Sequence, residues 1–102
     1  ISLDKVAVKN EAATFYARVA GQSMTEAGLD DGDLLVIDRS LEPQDGKIAV
    51  CLIDGEFTVK RLKVEKDCVW LVAENKRYKP IQVTEENELM IWGIVTHVLK
   101  AL

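Results

Sequence analysis

Lys47-Ile48-Ala49-Val50-Cys51-Leu52-Ile53-Asp54-Gly55-Glu56-Phe57-Thr58-Val59-Lys60-Arg61-Leu62 decides the fold. Two runs rich in branched and aromatic residues flank Asp54-Gly55, a dipeptide suited to the two positive-φ positions of a type I′ turn. The stretch therefore predicts a tight antiparallel hairpin. Strand alternation puts Thr58, Lys60 and Leu62 on one face of its second arm and Arg61 on the other.

Similar punctuation continues in both directions. Upstream, Ala13-Thr14-Phe15-Tyr16-Ala17-Arg18-Val19-Ala20 reads as a strand ending at Gly21. After the turn signal Asp30-Asp31-Gly32-Asp33, the run Leu34-Leu35-Val36-Ile37 reads as a buried strand. Residues 1–12 show no clear period and read as an entry segment; the S-x-x-K match at Ser2-Leu3-Asp4-Lys5 is a chance one, because the fold that uses it needs far more chain. Downstream come strands over 69–73 and 81–83, separated by a loop at 75–80, and then a turn at Glu85-Glu86-Asn87. The run over 89–99 is the longest apolar one. Its alternation places Met90, Trp92, Ile94 and Val98 on one face and Ile91, Val95 and Leu99 on the other. Read as a terminal strand at the sheet edge, it is expected to pair with its two-fold mate and so make a homodimer. Short strands with frequent turns predict a mainly β fold: one compact antiparallel β domain over 1–102, with one short helix.

Composition narrows the function classes. With 48% hydrophobic and 29% charged residues the chain is globular rather than disordered. No apolar run approaches the ~18 residues of a membrane span, and no signal-peptide pattern opens the chain, so a cytoplasmic protein without a membrane partner is expected. A net charge of −4 argues against a broad grip on phosphate backbone, and the clusters Lys60-Arg61-Lys63 and Lys76-Arg77-Lys79 suit solvated faces, so little or no direct nucleic-acid binding is expected. Cys51 and Cys68 have no metal-ligand spacing; they read as buried free thiols, which fits a reducing compartment. No metal or cofactor is expected.

Chemistry concentrates at Gly21-Gln22-Ser23-Met24, where a strand-like run delivers a serine to a corner. Ser23-Met24-Thr25-Glu26 fits the S-x-x-E capping box, and the same corner can expose backbone N–H groups near Gln22 and Ser23 to an oxyanion; the two readings are compatible. A serine hydroxyl needs a neighbouring base. His97 is distant in the chain, whereas Lys60 stands on a strand face among mostly uncharged neighbours. With an ordinary lysine pKa only roughly 0.04% is neutral at pH 7, so burial must bring it down. Arginine cannot be neutralised in this way, which excludes Arg61.

Taken together, Gly21-Gln22-Ser23-Met24, Asp31-Gly32-Asp33-Leu34-Leu35, Asp54-Gly55-Glu56-Phe57-Thr58-Val59-Lys60-Arg61-Leu62 and the loop from Asn75 to Ile81 resemble the self-cleaving Ser/Lys peptidase domain shared by LexA repressors and UmuD mutagenesis proteins. The resemblance implies a LexA C-terminal or signal-peptidase-like fold, Ser23 as nucleophile and Lys60 as general base. It implies cleavage of the protein's own N-terminal arm, promoted after DNA damage by a RecA filament on single-stranded DNA. The shortened protein would then serve as a homodimeric accessory subunit of a UmuC-like translesion polymerase. The ending Gly93-Ile94-Val95-Thr96-His97-Val98-Leu99-Lys100-Ala101 resembles UmuD more than LexA, and the missing arm reads as a processed form. The alternatives are the self-cleavage and dimerisation domain of a LexA-like repressor and a non-catalytic polymerase-binding module. A signal-peptidase relative would need a membrane span or a large apolar apron.

Overall fold

In a computed structural model the described residues are 7, 8 and 11–102. Ser2-Leu3-Asp4-Lys5 lies outside them, as does most of the entry segment. Seven strands follow a 3-10 turn at Glu11–Ala13: β1 (Thr14–Arg18), β2 (Leu34–Asp38), β3 (Ile48–Ile53), β4 (Glu56–Val64), β5 (Val69–Val72), β6 (Ile81–Val83) and β7 (Leu89–Leu99). They form one sheet in the order β1-β2-β7-β3-β4-β5-β6, with every neighbouring pair antiparallel. The Cα radius of gyration is 13.7 Å, close to the ~13 Å of a compact chain this long.

The β3–β4 hairpin forms as the sequence predicts. Asp54 and Gly55 carry φ values of 49° and 85°, and the register pairs Ile53 with Glu56 and Ala49 with Lys60. Period-two alternation along β3 sends Val50 to one face and Ala49 and Cys51 to the other. Two cores result. Val19, Met24, Leu29, Leu35, Ile37 and Val50 form the first; Ala49, Cys51, Leu62, Leu71 and Ile94 form the second.

Two expectations for the last strand are corrected. β7 does not stand at the edge; it pairs with β2 on one side and β3 on the other, and among the described strands β1 and β6 come last in the order. A strand with apolar groups on both faces is suited to a central position, because neighbours on both sides satisfy its backbone while the two cores take its side chains. The backbone argument for a dimer through β7 therefore falls. The face assignment also changes. Trp92, Val95 and Val98 pack on the first core, whereas Ile94 belongs with Leu89 and Ile91 in the second. The register shifts twice along β7: Val50 pairs with Gly93 but Cys51 with Ile91, and Val36 pairs with His97 but Ile37 with Val95. Each shift inserts an extra β7 residue, Trp92 and then Thr96, and resets the alternation.

Gly93 lies on β7 with side chains of β2 and Arg39 against its Cα. A Cβ there would sit 2.5 Å from Ile37 Cγ2, and Ile37 is itself packed in the first core. Gly93→Ala is therefore expected to destabilise the fold by about 1–3 kcal/mol through overpacking, measured by urea denaturation. An unchanged midpoint would show that Ile37 has room to move.

Candidate active site

Ser23 follows β1 by five residues, on a segment anchored at both ends. Upstream, the chain turns at Gly21, whose φ is 90° and whose N–H donates to Asp31 Oδ1 at 2.8 Å. The Arg18 guanidinium also donates to Gly32 O, at 2.9 Å. Downstream, Met24 is 2% exposed within the first core, and its carbonyl accepts from the N–H groups of Ala27 and Leu29. An exposed polar corner is thus fixed by the buried side chain next to the serine.

The expected helix after Ser23 is a single 3-10 turn, Thr25–Ala27, closed by Gly28 in the left-handed region. The capping box does not form: Met24 occupies the N-cap position without a side-chain cap, and the Glu26 carboxylate instead accepts from Lys76 N at 2.9 Å. One 3-10 turn leaves few orphan N–H groups for a cap to satisfy. The Ser23 hydroxyl is left to another partner.

That partner is Lys60. Its Nζ donates to Ser23 Oγ at 3.3 Å, Thr58 Oγ1 at 2.5 Å and Val59 O at 3.2 Å. The residue is 8% exposed, and among the described residues no carboxylate forms an ion pair with it. Desolvation of the ammonium holds its pKa below the ordinary 10.5. The nearby Cys51 would act in the opposite direction as a thiolate, but burial pushes that thiol up to about 11, so it is uncharged at neutral pH. Arg61, on the other face, pairs with Glu74 and donates to Gly46 O at 2.6 Å. The basic run Lys60-Arg61-Lys63 is therefore split between the site and an ion pair.

A cleft of about 480 Å³ opens beside Ser23, lined along one side by each residue from Phe15 to Ala20 and opposite by Phe57, Thr58 and Val59. Trp92 joins the walls, with its ring edge-on to Phe15 at 5.1 Å and to Phe57 at 6.3 Å. Arg39 stacks over it at 4.3 Å. Among the described residues no cluster of His, Cys, Asp or Glu could hold a metal, and no helix is long and apolar enough to cross a membrane.

A family model described as Peptidase S24-like matches residues 1–96. The chain belongs to the Peptidase S24-like family. Among its relatives are Protein ImpA of Salmonella typhimurium, 41% identical over 97% of this chain and 67% of that protein, and Protein MucA of Escherichia coli, 42% identical over 97% and 68%. The LexA repressor of Oleidesulfovibrio alaskensis is 43% identical over 91% of this chain, which spans 45% of that repressor. The resemblance read from the sequence is borne out at the level of the family. In this S24-like chain the two residues singled out from sequence, Ser23 and Lys60, meet across 37 positions. Thr58, which strand alternation already put on the face of Lys60, is the further side chain that the structure brings to the pair; nothing in the sequence marks it as a partner of the amine.

Proposed function

We propose that this chain is a self-cleaving serine peptidase domain in which Ser23 is the nucleophile and Lys60 the general base. The buried Lys60 Nζ at 3.3 Å from Ser23 Oγ carries the reading. A neutral amine keeps two N–H donors and gains one lone pair. With the donors directed at Thr58 Oγ1 and Val59 O, the lone pair faces the serine hydroxyl. Lys60 takes the Ser23 proton as Oγ adds to a peptide carbonyl, and returns it to the departing amine as the C–N bond breaks. Water then hydrolyses the acyl-enzyme. The N–H groups of Ser23 and Met24 donate to no acceptor among the described residues, which suits them to the oxyanion of the tetrahedral intermediate.

The substrate is an extended peptide. The cleft runs along β1, lined by each residue from Phe15 to Ala20, and a strand beside a cleft suits an extended chain. The family resemblance points to an N-terminal arm of the same protein with a Cys-Gly or Ala-Gly bond, cleaved in the DNA-damage response under the influence of a RecA filament. It points also to a cytoplasmic homodimer that serves a UmuC-like translesion polymerase. The LexA relative supports a second reading, the peptidase domain of a repressor. Residues 1–102 preceded by an arm of a few dozen residues should release it at one small-Gly bond, identified by mass spectrometry of the new N-terminus, and faster with RecA filament present. An uncut arm under mildly alkaline conditions would overturn the peptidase reading; a DNA-binding domain encoded upstream would establish the repressor.

A further inference from the structure

We infer that Asn75 is a positioning residue that sets the direction of the Ser23 N–H by holding the Gln22–Ser23 peptide plane. The inference rests on Ser23 being the nucleophile and adds a residue to its machinery. Residues 20–24 have no ladder of their own, and Gly21, at φ 90°, adds a hinge. Its ends are held at Gly21 and Met24, but the Gln22–Ser23 peptide between them takes its orientation from a partner outside the segment.

The loop between β5 and β6 supplies that partner. Asn75 Nδ2 donates to Gln22 O at 2.7 Å and reaches Thr25 Oγ1 at 3.4 Å, while its Oδ1 accepts from Arg77 N at 3.0 Å. The bond from Arg77 identifies the oxygen end of the carboxamide, so the amide nitrogen is the end that faces Gln22. Around it, Glu26 N donates to Glu74 O at 2.8 Å, Lys76 N to Glu26 Oε2, and Glu74 N to Met24 Sδ. The two loops are therefore clasped at several points, but only the bond from Asn75 falls on the peptide unit that contains the Ser23 nitrogen.

A trans peptide is planar, with its C=O and N–H pointing in opposite directions. Fixing Gln22 O toward Asn75 therefore fixes Ser23 N–H away from it, and among the described residues that N–H has no acceptor. An oxyanion donor must be aimed before the reaction, because a peptide that rotates freely spends its hydrogen bond elsewhere. Without Asn75 the plane can turn about the Gly21 hinge.

The test uses the arm-bearing chain and its first-order cleavage rate against pH. Asn75→Asp keeps the acceptor for Arg77 N but replaces the donor with an oxygen that repels Gln22 O. A fall of about 10- to 1000-fold is expected, up to the loss seen when one oxyanion donor is removed. The pH midpoint should stay in place, since Lys60 is untouched. Glu26→Ala is the control for loop clasping: it loses the bond from Lys76 and should cleave near the wild-type rate. Should Asn75→Asp lose its fold by circular dichroism, Asn75→Ala replaces it, with the same expectation. Cleavage within twofold of wild type in a folded variant would overturn the assignment. So would equal losses in Glu26→Ala, or a midpoint that moves with the rate. If Ser23→Ala is inert while Asn75→Asp keeps full rate, only the role of Asn75 fails; if Ser23→Ala still cleaves, both readings fail.

Discussion

Ser23→Ala and Lys60→Ala should each stop release of an N-terminal arm, and the double variant should be no slower than either. The expected loss for Lys60→Ala is about a hundred- to ten-thousand-fold, the range for removing a general base, with a larger one for the nucleophile. Non-additivity follows from the geometry. The bond from Lys60 Nζ to Ser23 Oγ makes the two side chains one proton-transfer unit, so once either is gone the other has nothing to act on. Cleavage followed by gel densitometry at mildly alkaline pH gives the rates. Comparable rates in wild type and Lys60→Ala would remove lysine from the reaction, and a double variant slower than both singles by the product of their losses would show two independent roles.

The second large effect is on pH dependence. Cleavage should rise with pH and level off at the lysine's pKa, below 10.5, because desolvation disfavours the ammonium. Lys60→Arg should be inactive at every pH, since a guanidinium offers no lone pair. Stability carries a mark of the same burial. Because the folded pKa lies below the unfolded one, the unfolded chain holds the proton more firmly between the two values, and stability rises with pH across that window. The cost of burying the ammonium is fully present below the lowered value and disappears above about 10.4, where the unfolded lysine is neutral too. Lys60→Met should therefore be more resistant to urea than wild type at neutral pH, with the difference vanishing at high pH, while its cleavage is abolished. A rate still climbing in proportion to hydroxide above pH 10.5, or a Lys60→Met variant less stable at pH 7, would show that the lysine is not perturbed by burial.

The assembly requires a different argument from the one the sequence offers. With β7 enclosed by β2 and β3, its backbone cannot pair with a two-fold mate. Val95 and Val98 pack on the first core, so a charge introduced at either position tests the fold and not an interface.

What was legible in the sequence is what local chemistry controls. Asp54-Gly55 required two positive φ values and so drew the hairpin; period-two alternation then placed Lys60 with Thr58 and away from Arg61. Gly21 and the Asp30 to Asp33 turn marked the corner that bears Ser23. What only the tertiary structure decided depended on partners far along the chain. The S-x-x-E pattern is a sound local signal, yet Glu26 turned to Lys76 and the Ser23 hydroxyl to Lys60, because a neighbouring loop and a buried cation outcompeted a cap on one 3-10 turn. Likewise, the apolar residues of 89–99 announced a strand, but its place at the centre and the register shift at Trp92 that leaves Trp92 and Ile94 on opposite cores came from fitting between β2 and β3. Periodicity fixes which residues alternate. Which neighbour a strand takes, and where a bulge resets the alternation, is set by burying both faces at once, a condition that no single segment can express.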